Sequence, residues 1–302
     1  MKRSLMKGYW SEPARPSQRA IFSLLVAAML GPWVDCGRTM ALEVSTDRPD
    51  FTNSTATVPP GLVQIEMGLV FSRQPEVILD ETTGRTFRAK SRQLAIEATV
   101  RWGILPWAEL RLDGQPFIRE RSSTGDASSG QGDLAVSGKF RFLDEQDQRW
   151  WPSLGLTPFV KIPTASSTKG LGTGLADFGA ILLMSKDLPW DLHADLNIGL
   201  AGIAVAGDPG GMIFRNTASL SISRPLPLKG LATFWEIFYS SREAPETRHI
   251  LGTDFGFVYT IHPRVALDTS LEVGLGGDAN DYAIRGGITV LLGPLRDSLD
   301  KP

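Results

Sequence analysis

The chain has 302 residues, enough to bury a sizeable core as one large domain or two small ones. Its formal net charge of -2 offers no footprint for a polyanion, so nucleic acid is not an expected partner. The single cysteine, Cys36, excludes an intrachain disulfide, and no apolar run reaches the ~20 residues of a spanning helix.

The first segment, residues 1–41, has the form of a secretory signal. Lys2, Arg3, Lys7, Arg15 and Arg19 precede the apolar stretch Ala20 to Leu30, and Gly31 and Pro32 break it. Cleavage is expected after Ala41. Cys36 follows Val34 and Asp35, and an acidic residue directly before the cysteine fits a lipoprotein signal poorly.

Residues 42–60 have neither helical nor strand periodicity. They carry the run "STDRPDFTNSTATVPPG" from Ser45 to Gly61, two aspartates and an arginine packed around a proline. No local element explains so compact a charged group.

From Gly61 the chain alternates with a period of two. Val63, Ile65, Met67, Leu69 and Phe71 alternate with Gln64, Glu66 and Gly68. Leu94, Ile96, Ala98, Val100 and Trp102 alternate with Gln93, Glu97, Thr99 and Arg101. Leu110 and Leu112 alternate with Glu109, Arg111 and Asp113; Leu134, Val136, Phe140 and Phe142 alternate with Ser137, Lys139 and Arg141. Leu154, Leu156, Val160 and Ile162 oppose Thr157 and Lys161, although Pro158 interrupts that run. Phe178 to Met184 is apolar on both faces. Leu192 to Leu200, Ala218 to Ile222, Trp235 to Ile237, Phe255 to Tyr259, Val265 to Val273 and Ile284 to Leu292 complete the series. Successive strand side chains point to opposite faces, so each segment has one apolar and one polar face.

There are about twelve such segments, near the 9 to 11 residues a tilted strand needs to cross a bilayer. The connections alternate. Those near Ile104, Leu188, Leu226 and Pro263 are tight, and those near Thr82, Thr124, Lys169, Pro209 and Pro245 are longer and polar. Trp102, Trp107, Trp150, Trp151, Trp190 and Tyr259 gather beside the tight ones, where an interfacial girdle would lie. The expected fold is an all-β transmembrane antiparallel barrel spanning 61–293, with short periplasmic turns, longer extracellular loops and a tail at 294–302. A soluble β-sandwich also alternates, but it would not need strands of one length with aromatics at one end.

With the apolar face toward membrane lipid, the charged face lines the interior. The expected lumen-lining residues are Glu66, Glu97, Arg101, Glu109, Arg111, Asp113, Lys139, Arg141, Lys161, Asp195, Glu236, Asp254, Asp268, Glu272 and Arg285. Charges crowded in a narrow lumen must pair or be hydrated. Catalysis finds little support. Of the three histidines only His193 falls on the inward face, no GxSxG elbow is present, and "GLGTGLAD" from Gly170 opens a strand where a phosphate loop would open a helix. No metal or cofactor is expected, because no His, Cys or carboxylate cluster has ligand spacing.

"TDRPDFTNS", "VPPGLVQIEMG", "GQGDLAVSGKFRF", "VKIPTAS" and "GFVYTIHPRVALDTSLEVGL" together resemble the outer-membrane family named "Putative MetA-pathway of phenol degradation", from about Thr46 to Gly293. The resemblance implies a bacterial outer-membrane barrel that passes small molecules, and the family's name implies apolar or aromatic ones. Two features depart from it: the lumen is heavily charged, and the chain continues "GPLRDSLDKP" where such barrels commonly end on an aromatic residue. A closed structural or binding barrel is the alternative, and an outer-membrane hydrolase a distant third. Asp47, Arg48, Asp50 and Phe51 are expected to fold back into the periplasmic mouth as a plug. Asp47 and Asp50 would pair there with Arg101, Arg111 or Arg141, and Arg48 with Glu97 or Glu109.

Overall fold

A strand with one apolar and one polar face exposes unpaired backbone at each sheet edge, and a bilayer cannot solvate it. Closure removes the edge. The computed structural model describes residues 44–80, 85–146, 150–205, 210–244 and 246–293. The expected signal segment and the 294–302 tail lie outside the described residues.

The strands are β1 (Val63–Asp80), β2 (Arg85–Leu105), β3 (Ala108–Ser122), β4 (Ala127–Gly130), β5 (Leu134–Leu143), β6 (Ser153–Ile162), β7 (Asp177–Leu188), β8 (Leu192–Ala204), β9 (Met212–Pro225), β10 (Leu231–Ser240), β11 (Ile250–His262), β12 (Val265–Gly277) and β13 (Tyr282–Leu292). Apart from β4 and β5, neighbours in sequence pair antiparallel, and β1 also pairs with β13 from Val63↔Leu292 to Arg73↔Tyr282. That pairing closes the sheet. Short β4 and β5 pair with the outer and inner parts of β3 and share one place in the wall. The result is a closed barrel of twelve strand positions, the all-β class expected from the alternation. Among the described residues no helix is long and apolar enough to cross a membrane; the chain crosses with strands.

Met67, Leu69, Phe71, Leu94, Val100, Leu110, Leu112, Ile198, Leu271, Ile284 and Ile288 all lie exposed on the outer face. In water this would be untenable; against acyl chains it is the favourable arrangement. Trp102, Trp150, Trp151 and Trp190 stand exposed at the end where β1 begins and β13 finishes, with Trp150 stacked on Trp151 at 4.4 Å. Phe71, Tyr239, Phe178 and Phe214 form a second aromatic level toward the other end, which the sequence reading did not single out.

Three local expectations resolve. The stretch Phe178–Met184 takes the register in which Leu183 is fully buried inward and Phe178 points out. Pro158 does not end its strand. The β5–β6 pairing simply omits Gly138 and Lys139 opposite it, while Pro158 still aligns with Ala180 of β7. The stretches near Thr82 and Thr124, expected as long loops, are largely strand. β1 and β2 run on together to Asp80↔Arg85, so their hairpin stands beyond the bilayer on the outer side. The length alternation also has exceptions: the 144–152 connection is long on the periplasmic side, and 278–281 is short on the outer side.

Candidate functional site

The interior is crossed by residues 44–60. Val44 N–H donates to the Pro263 carbonyl (2.7 Å) in the β11–β12 turn. Val44, Val58 and Leu62 then pack with Ala266 and Leu291 into a small apolar floor. The segment leaves this floor, crosses the lumen and returns to it. Gly61 N–H donates to the Gly103 carbonyl (2.9 Å) as the chain enters β1. A Cβ at Gly103 would lie 2.2 Å from the Pro59 carbonyl oxygen, so only glycine lets the returning chain lie this close to β2.

On the wall formed by β1, β2, β3 and β5, charges of both signs are buried together. Arg101 is wholly buried. It donates to Glu109 (2.8 and 3.1 Å), to Glu66 (3.0 Å) and to the carbonyls of Ser45 and Ala56 (3.0 Å each). Lys139, also wholly buried, reaches Asp47 (2.7 Å) and the Ser54 carbonyl (2.9 Å). Asp47 further pairs with Arg101 (3.2 Å) and with Arg111. The wall supplies three cations, Arg101, Arg111 and Lys139, and two fully buried carboxylates, Glu66 and Glu109. Asp47 is the third carboxylate. Buried charge must be matched, and the segment supplies the match. Burial alone would raise the Asp47 carboxyl; the fields of Arg101, Lys139 and Arg111 outweigh it and hold the carboxyl well below its ordinary range.

Arg48 makes the opposite delivery. Its guanidinium lies 3.0 Å from Glu97 of β2 and 3.6 Å from Asp268 of β12. It occupies a slot made by two glycines directly opposite each other, Gly68 of β1 and Gly287 of β13. A Cβ would sit 2.0 Å from Arg48 Nη2 at Gly68 and 2.9 Å from Arg48 Nε at Gly287.

Beyond Pro49 the segment traverses to the far wall. Phe51 N–H donates to Glu236 (2.8 Å). Its ring lies 4.2 Å from Phe238, with the Arg285 guanidinium 4.8 Å from its centre. The Thr52 hydroxyl donates to Glu236 and lies 2.8 Å from Ser219. Asn53 and Asn197 exchange two hydrogen bonds of 2.8 Å each, and Thr55 N–H donates to Ser185 (2.9 Å). The chain returns where Val58 N–H donates to Glu109 (2.6 Å).

Asp50 does not go where the sequence suggested. It approaches no arginine of β2, β3 or β5; it faces Glu236, Asp254 and Asp195, with Ser221 as its polar partner. The segment is too short to return Asp50 to the cationic wall once Phe51 is bound to Glu236. Burial first, then Glu236, pushes the Asp50 carboxyl well above its ordinary range. Arg141 also departs from the expected set of segment partners. It pairs with Asp144 (2.7 Å) and donates to the Pro106 carbonyl (3.0 Å) at the periplasmic edge.

The other inward charges pair along the wall. Arg285 pairs with Glu272 (2.6 Å) and Lys161 with Asp177 (2.6 Å) and Asp133 (3.2 Å); Arg111 pairs with Asp113 (3.2 Å). His193 lies between Asp187 (2.6 Å) and Asp195 (3.4 Å), paired with both carboxylates. The two walls differ. Cations and carboxylates balance around Arg101, whereas carboxylates collect around Asp254, whose nearest cation is Arg285 at 3.9 Å. Sequence reasoning missed Thr46, Thr52, Asn53 and Thr55, which bond the segment to the wall, and the Gly68–Gly287 slot.

The family model "Putative MetA-pathway of phenol degradation" matches residues 46–292. The chain belongs to this family. Among solved structures it is similar to the COG4313 outer membrane channel from Pseudomonas putida F1. The two are 15% identical with a TM-score of 0.62, over 83% of this chain and 100% of that one. Looser likenesses are the NanC porin (12% identical, TM-score 0.42, over 74% of this chain and 98% of that one) and the CymD monoaromatic hydrocarbon channel (9%, 0.38, over 78% and 89%). No curated protein matches the chain. A closed barrel with an outward apolar band and aromatic levels at both ends is a bacterial outer-membrane protein.

The two aspartates of the segment give it opposite responses to acid. Both ordinarily ionise near pH 3.8. Asp50 is raised when seated, so seating is favoured below that value and weakens as pH rises through the raised one. Asp47 is lowered when seated, so its contribution holds above pH 3.8 and fails only below it. Ion leak through the barrel is therefore expected to increase as pH rises from 4 towards neutrality. Asp50→Asn is expected to flatten that rise and lower the leak at pH 7. Conductance recorded from pH 4 to 8 checks this; the same slope in both proteins contradicts it.

Proposed function

We propose that the protein is a passive outer-membrane channel for small molecules whose lumen is narrowed by its own segment, residues 44–60. The observation that carries this reading is the asymmetry of the interior. One wall is neutralised by Asp47, while the wall around Glu236 and Asp254 collects acidic groups whose nearest cation is Arg285. A purely structural filling would balance on both sides; a one-sign polar stripe suits a path for hydrated solute. Membership of a family named for phenol degradation supports aromatic or apolar compounds as cargo, and the likeness to an outer membrane channel supports passage. No step of bond chemistry is invoked, and the protein is not read as an enzyme.

A second reading is a closed barrel whose interior is held shut. The hydrogen bonds that tie residues 51–55 to β7–β10 favour it. Single-channel recording from the purified, membrane-inserted protein separates the two, after a heated-versus-unheated gel shift has established a folded barrel. Discrete current steps, with phenolic solutes competing, are expected of the channel. A folded, inserted barrel without steps supports the closed reading.

Arg48→Ala is expected to increase ion leak while leaving the gel shift intact. It frees the slot at Gly68 and Gly287 and removes the cation between Glu97 and Asp268. An unchanged leak would count against the segment as the constriction.

A further inference from the structure

The outward face of β1, β2 and β3 carries a row of arginines just beyond the apolar band. Arg73 of β1 lies directly opposite Arg92 of β2, and Arg92 directly opposite Arg121 of β3. Their face is fixed by their neighbours. Phe71 of β1 and Leu94 of β2 align two residues nearer the membrane centre, with Ile284 of the adjoining β13 opposite Phe71, and all three are exposed to the lipid side. Arg119 lies opposite Leu94, and so belongs to the same face.

Like charges directly opposite on one face repel, so the row needs an outside anion. Little within the chain supplies one. Asp281 pairs with Arg73 (3.3 Å) and Lys90, and Asp278 with Arg248 (3.1 Å) and Arg88. No carboxylate of the described residues forms an ion pair with Arg92, Arg119 or Arg121. A cleft of about 570 Å³ opens beside the row, among Arg73, Arg88, Lys90 and Arg248. Val44 and Gly293, where the described residues begin and end, lie at the opposite mouth, so this level is the head-group layer of the outer leaflet.

We propose that this row binds the phosphate groups of the anionic glycolipid that forms the outer leaflet. Guanidinium forks match phosphate oxygens in pairs. The acyl chains of the same lipid would lie against Phe71, Leu94 and Ile284 directly below. The proposal rests on the outer-membrane placement and is independent of whether the lumen conducts.

The test is lipid retention by the full-length folded barrel in phosphatidylcholine discs doped with either phosphorylated lipid A or its dephosphorylated form, counted by native mass spectrometry. The natural chain is expected to retain the phosphorylated form about tenfold or more over the other. R92Q/R119Q/R121Q should erase most of that preference with the gel shift unchanged. Equal retention of the two lipids by the natural chain overturns the proposal, and needs no variant to fold. Unchanged preference in the folded triple variant also overturns it. So does displacement of the lipid by millimolar inorganic phosphate, which would mark a free-anion site.

Discussion

Deleting Thr46–Thr57 is expected to raise the single-channel conductance severalfold in a barrel that still inserts and still shifts on an unheated gel. Those residues touch β1, β2, β3, β5, β7, β8, β9, β10, β12 and β13. Nothing else among the described residues spans the interior so widely. The deletion strips Asp47 from the cationic wall, but it also admits water, which can solvate Arg101, Arg111 and Lys139 in its place. The strand ladders are untouched, so closure should survive. A folded deletion variant with the conductance of the natural chain would show that the segment is not the constriction. A folded variant that still passes no current would favour an interior closed by the wall itself.

Arg101→Ala is expected to lower barrel stability by about 3–5 kcal/mol, the usual consequence of removing one partner from a buried ionic cluster. Arg101 alone reaches Asp47, Glu66 and Glu109 together, at 3.2, 3.0 and 2.8 Å. Without it Glu66 loses its paired cation, Asp47 and Glu109 are left with Arg111 and Lys139, and the Ser45 and Ala56 carbonyls each lose one of two donors, keeping Gln64 and Lys139. Urea unfolding in detergent micelles, followed by loss of the unheated band, gives the measurement. A shift under about 1 kcal/mol, the scale of an exposed pair, would mean that water reaches this cluster. Asp47→Ala should couple strongly to Arg101→Ala in a double-mutant cycle, because each removes the other's partner.

The barrel was legible because alternation with a period of two survives every connection. It announces which side chains go out without reference to any partner strand. Asp47 and Arg48 were legible for a related reason: two opposite charges in an aperiodic stretch need burial partners, and the inward arginines and glutamates of β2 and β3 were already placed. Asp50 was not. Its sign was visible, but the strand it faces depends on how far the segment travels after Pro49, which no local pattern records. The Gly68–Gly287 slot left a trace, since Gly68 follows Glu66 and Gly287 stands between Arg285 and Thr289 on the inward face; their meeting depends on the β1–β13 register. The outward arginine row was hidden because the stretch from Gln74 to Lys90 has turn-like composition and does not announce itself as strand.

The slot that holds Arg48 belongs to neither end of the barrel sequence alone. Gly68 and Glu97 stand on one side of the closing seam, Gly287 and Asp268 on the other. Thr46 bridges the same line, with the Thr289 hydroxyl donating to it at 2.9 Å on one side and Glu66 beside it on the other. The receptor for the segment does not exist until the first strand has met the last. Seating is thus a late event in assembly, and the seated segment becomes a clasp across the join that it had to wait for.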